Sequence, residues 1–200
     1  MSAVISETAA QIQTPRQRWS NIFTIAYAAL AILLAMQLRS ATENATVVFS
    51  DPVVGLTVQY PQNWLLDTSG ASVLTVSDQS ADGFKTSIEV QVLPLGVGLS
   101  ERNIVDDLIL RRSQSLASFD VLERSTATLG ENEQPATSMT FTYVSGEQNP
   151  FLESLPTVVE GIDVITTQGG QALIVTLRSD VRSFDESLPI FQRFLNDLDF

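Results

Sequence analysis

Thr157-Val-Val-Glu-Gly-Ile-Asp-Val-Ile-Thr-Thr-Gln168, then Gly169-Gly170, then Gln171-Ala-Leu-Ile-Val-Thr-Leu-Arg178 decides the fold of this chain. Two β-prone runs separated by a two-glycine turn are the strongest hairpin signal in the sequence. Gly169-Gly170 is not a phosphate loop, because it lacks the Lys-Ser/Thr and stands between strands rather than before a helix. Working outward, 121–129 and 136–144 read as strands around the turn Gly130 to Pro135. Residues 87–93 alternate, with Ile88, Val90 and Val92 on one face and Glu89 and Gln91 on the other, so Glu89 is expected to point to solvent. Residues 73–77, the run Gly55 to Tyr60 that Pro61 stops, and 46–50 are further strands. Trp64-Leu-Leu66 resumes an apolar stretch.

Two helices interrupt the strands. Ser100 is a good N-cap and Glu101 suits a first turn. Val105, Leu108, Ile109, Arg112 and Leu116 recur at helical spacing, which predicts an amphipathic helix to about Ser118. A last helix carries Leu188, Phe191, Leu195 and Leu198 on one stripe. Pro189 places its start at about Asp185, since proline is tolerated in the first turn. Phe191 and Phe194 are expected in the core. Residues 145–156, holding Asn149-Pro150-Phe151, form the longest loop. Antiparallel strands interrupted by amphipathic helices predict an α+β sandwich with helices covering a sheet.

Near the other end of the chain, Ile22 to Leu38 is a 17-residue apolar run in which Thr24 and Gln37 are the only clearly polar members. At about 1.5 Å per residue it spans roughly 26 Å, a little short of the roughly 30 Å hydrocarbon core. Trp19 and Tyr27 suit the headgroup region at one end, and Arg39 can snorkel at the other. Arg16, Arg18 and the amino terminus outweigh the single Arg39, so the N-terminal side is expected in the cytoplasm and the rest outside it. A cleavable signal peptide fits less well: its core is shorter, and Arg39 takes the −3 position for cleavage after Ala41. The expected organisation is a disordered cytoplasmic tail (1–19), a transmembrane signal anchor (20–39), a linker (40–46) and one extracytoplasmic domain (47–200). Asn44-Ala45-Thr46 is a formal glycosylation sequon.

The domain is acidic. From Ser40 onward there are 8 Lys and Arg against 22 Asp and Glu, a balance of −14. Such a field repels nucleic acid and anionic lipid, keeps the domain soluble, and favours a basic partner surface. The absence of cysteine excludes disulfides and thiolate chemistry. The absence of histidine excludes Ser-His-Asp catalysis and most transition-metal centres.

One stretch has metal-loop spacing. Asp78-Gln-Ser80-Ala-Asp82-Gly83-Phe84-Lys85-Thr86-Ser87-Ile88-Glu89 places oxygen ligands at positions 1, 3 and 5, glycine at 6 and glutamate at 12, as a calcium loop does. Against this, Lys85 brings a positive charge into the loop, the flanks read as strands, and a polar hairpin turn explains Asp and Gly equally well. Asp106-Asp107 and Glu131-Asn-Glu133 are adjacent or near-adjacent carboxylates with no neighbouring base or nucleophile motif, and read as solvated charges. No catalytic constellation, cofactor site or resident metal is expected.

Gly55-Leu-Thr-Val-Gln-Tyr-Pro-Gln-Asn-Trp64 resembles the glycine–aliphatic–x–aliphatic–x–Tyr-Pro-x-x-Trp opening of PsbP-like domains. Those domains belong to an α-β-α sandwich superfamily that includes a Ran-binding nuclear import factor and bacterial lipoproteins. The order of elements downstream agrees, down to an ending, Asn196-Asp-Leu-Asp-Phe200, that is similar to the family's close on a short strand. The resemblance implies an α-β-α sandwich with a central, mainly antiparallel sheet over Val47 to Phe200, here preceded by a single transmembrane helix. It also implies accessory or assembly roles beside a membrane complex. The metal-binding histidines of the plant photosystem members have no counterpart here.

The expected function is a non-enzymatic, membrane-anchored extracytoplasmic protein that docks on a membrane protein complex, with no nucleic-acid partner. The alternative is an envelope module that binds a small molecule or ion at the 78–89 loop or a sheet–helix cleft. A histidine-free hydrolase is third.

Overall fold

The computed structural model describes residues 15–43, 45–81, 83–96, 100–130, 132–146 and 156–200. The tail 1–14, Asn44 of the sequon, Asp82, Glu131 and the loop carrying Asn149, Pro150 and Phe151 lie outside the described residues. The chain divides into one unit that ends at Ala45 and a second, Thr46–Phe200.

The first unit contains α1 (Pro15–Glu43), a 29-residue helix that runs beyond the expected anchor at its C-terminal end and takes in most of the expected linker. Its described side chains are Trp19 and residues 23–38, and all are exposed, among them Phe23, Ile25, Leu30, Leu33 and Met36. Among the described residues no helix is long and apolar enough to cross a membrane. The described apolar stretch, 23–38, is shorter than the roughly 20 residues a bilayer core requires.

The second unit is α+β. Its elements are β1 (Thr46–Asp51), β2 (Leu56–Pro61), β3 (Leu65–Asp67), β4 (Leu74–Ser77), β5 (Ser87–Pro94), α2 (Glu101–Ser115), β6 (Ala117–Leu129), β7 (Gln134–Ser145), β8 (Thr157–Gln168), β9 (Gln171–Asp180) and α3 (Phe184–Asn196). β3 to β9 form a seven-stranded sheet in the order β3-β4-β5-β9-β8-β7-β6, and every pairing is antiparallel. The β8–β9 hairpin stands at the heart of this order. Gly169 and Gly170 both take positive φ, 58° and 79°, the backbone that a two-residue turn between twisted strands demands.

Alternation along β9 sends side chains into two separate cores. Leu173, Val175 and Leu177 meet Phe184, Phe191, Phe194 and Leu195 of α3, while Ile174 meets Val105 of α2. The helices therefore cover opposite faces of the sheet, and the layers are α, β and α. β1 and β2 form their own antiparallel ribbon, and Leu56, Val58 and Tyr60 of β2 fill the α3-side core. Trp64 is buried there too, at 6 % exposure, after a turn in which its N–H donates to the Pro61 carbonyl.

The helices differ from expectation at their ends. α2 stops at Ser115 rather than near Ser118, because Leu116 is already extended and β6 starts at Ala117. α3 begins at Phe184, so Pro189 is its sixth residue and lies past the first turn. A proline there has no N–H to offer the Asp185 carbonyl, and the burial of Phe184, Phe191 and Phe194 outweighs that missing bond. Glu89 is a third difference. Its face of β5 is covered, and its side chain is only 18 % exposed and paired with Arg178.

Candidate functional site

The 78–89 segment is a self-satisfied polar loop. Asp78 accepts from the N–H and the hydroxyl of Ser80, at 2.8 and 2.7 Å, which is a local turn of the kind Asp favours. Lys85 Nζ donates to the carbonyls of Gln79, at 3.1 Å, and of Ala81. The lysine ammonium thus sets a positive charge within the loop, and Glu89 is turned away onto Arg178. Asp78 and Glu89 are not brought together, and among the described residues no group of three or more metal-ligating side chains exists. Asp107 pairs with Arg111 at 2.8 Å, Asp106 stands 3.6 Å from Arg124, and Glu133 is exposed in its turn.

The α2-side core holds a polar network. Arg112, on the apolar stripe of α2, forms a two-pronged pair with Asp163 of β8, one prong being Nη2 to Oδ1 at 2.9 Å. Asp163 is fully buried and also accepts from the Thr176 hydroxyl at 2.7 Å. The Arg112 guanidinium lies 4.3 Å from the centroid of the Phe141 ring. Nearby, burial pushes the Tyr143 phenol up, with the charges of Arg178 and Arg112 opposing the shift. Arg112, Asp163 and Thr176 satisfy one another, as in a positioned core, while the buried Nε of the neighbouring Arg178 has no hydrogen-bond partner among the described residues.

Six of the domain's eight cations have described partners within it. Lys85, Arg111, Arg112, Arg124, Arg178 and Arg182 all bind acceptors of the same domain. Many acids face outward without such a partner. Asp120, Glu123, Asp185, Glu186, Asp197 and Asp199 are exposed, and none of them is held in a described ion pair. At Glu160, partial burial raises the carboxyl pKa, and the charge of Asp185 adds to the rise.

A cleft of about 720 Å³ lies at one end of the sheet, between the β6–β7 turn and the segment after α3. Its floor is Leu129 and Leu198, both buried. Its rim is polar: Gln59 from β2, Asn132 and Gln134 from the turn and β7, Gln168 from β8, and Asn196, Asp197 and Asp199 after α3. Two contacts fix the walls. Gly130 N–H donates to the Leu195 carbonyl at 3.0 Å, and Thr57 and Asp199 exchange backbone bonds of 2.9 and 2.8 Å. Gly130 has φ +70°, and a Cβ there would lie 2.9 Å from the Leu198 carbonyl oxygen, so the turn closes on this segment because the residue is glycine. Sequence reasoning missed this cleft, whose residues come from four segments far apart in the chain. A smaller cleft of about 420 Å³ lies between Leu93 to Leu95 and the start of α2, with the Asp107–Arg111 pair on its wall.

No family model matches the chain, and no curated protein sequence matches it. Solved structures do. The solution structure of cyanobacterial PsbP (CyanoP) from Synechocystis sp. PCC 6803 aligns with a TM-score of 0.56 at 14 % identity, over 78 % of this chain and 92 % of that one. The Saccharomyces cerevisiae Ran-binding protein Mog1p aligns with a TM-score of 0.48 at 9 % identity, over 78 % of this chain and 95 % of that one. LpqN, involved in cell envelope biogenesis of Mycobacterium tuberculosis, aligns with a TM-score of 0.48 at 12 % identity, over 77 % of this chain and 88 % of that one. At such identities the likeness to CyanoP speaks to fold alone: the domain has the PsbP-like sandwich.

Proposed function

We propose that this chain is a non-catalytic accessory or assembly protein, anchored in a membrane by α1, whose domain outside the cytoplasm docks on a membrane protein complex. The observation that carries the docking half is the distribution of charge. Six of the domain's eight cations are paired to acceptors of the same domain, two of them mostly buried, while exposed acids stand outside any described ion pair, so the outward field is negative and suits a partner with a basic surface. The PsbP-like fold is consistent with this reading without specifying it. The anchor is supported by the 17-residue apolar run Ile22 to Leu38, whose described members in α1 are all exposed. Arg16 and Arg18 ahead of it support a cytoplasmic N-terminal side. Such an anchor raises the effective concentration of the domain near a membrane partner.

The test is co-migration of the full chain with a larger complex in mild detergent. The association is expected to weaken as salt rises from about 0.05 to 0.5 M, where the Debye length falls well below about 10 Å. Removing residues 1–39 should weaken it further. Migration of the 21.8 kDa chain alone at every salt concentration refutes docking. Protease added outside cytoplasm-inside vesicles should reach the domain, and a mature N-terminus at residues 41–46 refutes the anchor. A second reading, a small-molecule module, is favoured by the 720 Å³ cleft, whose size suits a small ligand. A ligand-dependent rise in melting temperature supports it.

A further inference from the structure

The cleft at the end of the sheet is built to receive positive charge. Asp197 and Asp199 stand at its rim, and among the described residues no cationic one lines it. The C-terminal end of α3 opens beside it, where backbone carbonyls carry the negative end of the helix dipole. Gln134 Nε2 donates to Gln168 Oε1 at 2.8 Å, which leaves the Gln134 amide oxygen as a further acceptor at the rim. The walls are tied by the Gly130–Leu195 and Thr57–Asp199 backbone bonds, so the backbone that carries the acceptors is held in place before anything binds.

The size of the cleft and its donor set select among cations. About 720 Å³ is far larger than an ion needs, and among the described residues no group of three metal-ligating side chains exists. An ammonium is a compact, strongly hydrated point charge with three donors. A guanidinium is planar, more weakly hydrated and offers five donors in a fixed fork, which suits two carboxylates and several amide oxygens spread round a wide rim. We propose that this cleft receives an arginine side chain presented by an exposed segment of the partner protein. The proposal deepens and rests on the docking reading, and it assigns the contact to Asp197, Asp199 and the amide rim.

The experiment is calorimetric titration of the full chain in mild detergent with the blocked peptide Gly-Arg-Gly-Arg-Gly. The controls are the same peptide with citrulline, an uncharged isostere, or with lysine in place of arginine. The arginine peptide should bind about tenfold more tightly than the citrulline peptide, and more tightly than the lysine peptide. Asp197→Asn with Asp199→Asn should weaken it about fivefold or more, while Asp185→Asn with Glu186→Gln, at the other end of α3, should change it less than about twofold. Gln168→Arg, which supplies a tethered guanidinium from the cleft's own wall, should abolish binding and carries the test if the double variant misfolds. Equal binding of arginine and citrulline peptides, or equal weakening by both acidic pairs, overturns the proposal. Co-migration with a complex that is unchanged in Asp197→Asn/Asp199→Asn removes the cleft and leaves the docking reading standing. Capture of the arginine peptide by a chain that enters no complex supports the cleft and removes the docking.

Discussion

Replacing Arg112 with leucine should be among the most damaging single changes in this domain. Asp163 is fully buried, and its carboxylate is held by the two-pronged Arg112 pair and by Thr176 at 2.7 Å. Without the guanidinium, one neutral hydroxyl remains to serve a buried charge, a loss of about 3–5 kcal/mol. The stacking of Arg112 on Phe141 adds about 0.5–2 kcal/mol. Set against a typical net stability of about 5–15 kcal/mol, this removes from about a quarter of it to all of it. The assay is urea unfolding of the full chain in mild detergent. Fluorescence of the buried Trp64 reports it in a Trp19→Phe background, since the chain has two tryptophans. Adding Asp163→Asn removes the stranded charge while keeping its shape, and should recover about half of the loss or more. A cost under about 1 kcal/mol for Arg112→Leu, or no recovery in the double variant, would show that the pair is solvated and refute the reasoning.

Other consequences can be read in the same assay. Trp64→Ala should cost about 3–5 kcal/mol, and an unchanged unfolding midpoint would take Trp64 out of the core. Gly161→Ala should cost about 1–3 kcal/mol, because a Cβ there would lie 2.4 Å from the Phe141 ring; a neutral result means the ring moves aside freely. At Asp180, the side-chain and backbone hydrogen bonds from Arg182 hold the carboxyl down to about 2 against an ordinary 3.8. A depressed folded value gives stability that is present above the ordinary value and lost as pH falls toward about 2, so Asp180→Asn should flatten the acid limb between about pH 4 and 2. Calcium calorimetry on the same chain should show no dissociation constant below about 10 µM, since Lys85 holds its positive charge within the loop and Glu89 is committed to Arg178. A tighter value, lost in Asp78→Ala, would overturn that.

The hairpin, the strand alternation and both core helices were legible because each announces itself within a short window. Glycines force the β8–β9 turn, and a period of two or of 3.6 marks each face. Arg112 was legible as a charge on an apolar stripe, but its partner was not. Asp163 sits in a strand 51 residues away, and its only local sign is an acid within the apolar run of β8. Glu89 was misread for a related reason. Alternation separates two faces, yet does not say whether the second is wet, and here both faces are covered. Pro189 was misjudged because a rule of local geometry was allowed to fix a boundary that burial of Phe184 decides. The cleft was invisible for the most general reason: Gln59, Gln134, Gln168 and Asp199 become neighbours only once the sheet and the final helix are in place.

A formal charge does not say what a partner meets, since pairing decides which part of it faces outward. Exposed ion pairs such as Arg111–Asp107 contribute little to stability, about 0–1 kcal/mol each. Their larger effect here is to set each such cation beside an acid, so that little positive field extends from it. Arg112 and Arg178 go further, since their side chains are mostly buried and cannot be lent to a partner without breaking the core. What remains outside is a field that is strongly one-signed, with its concave acidic element at Asp197 and Asp199. A domain made this way is poorly suited to anionic lipid or nucleic acid, and suits the basic partner surface proposed above.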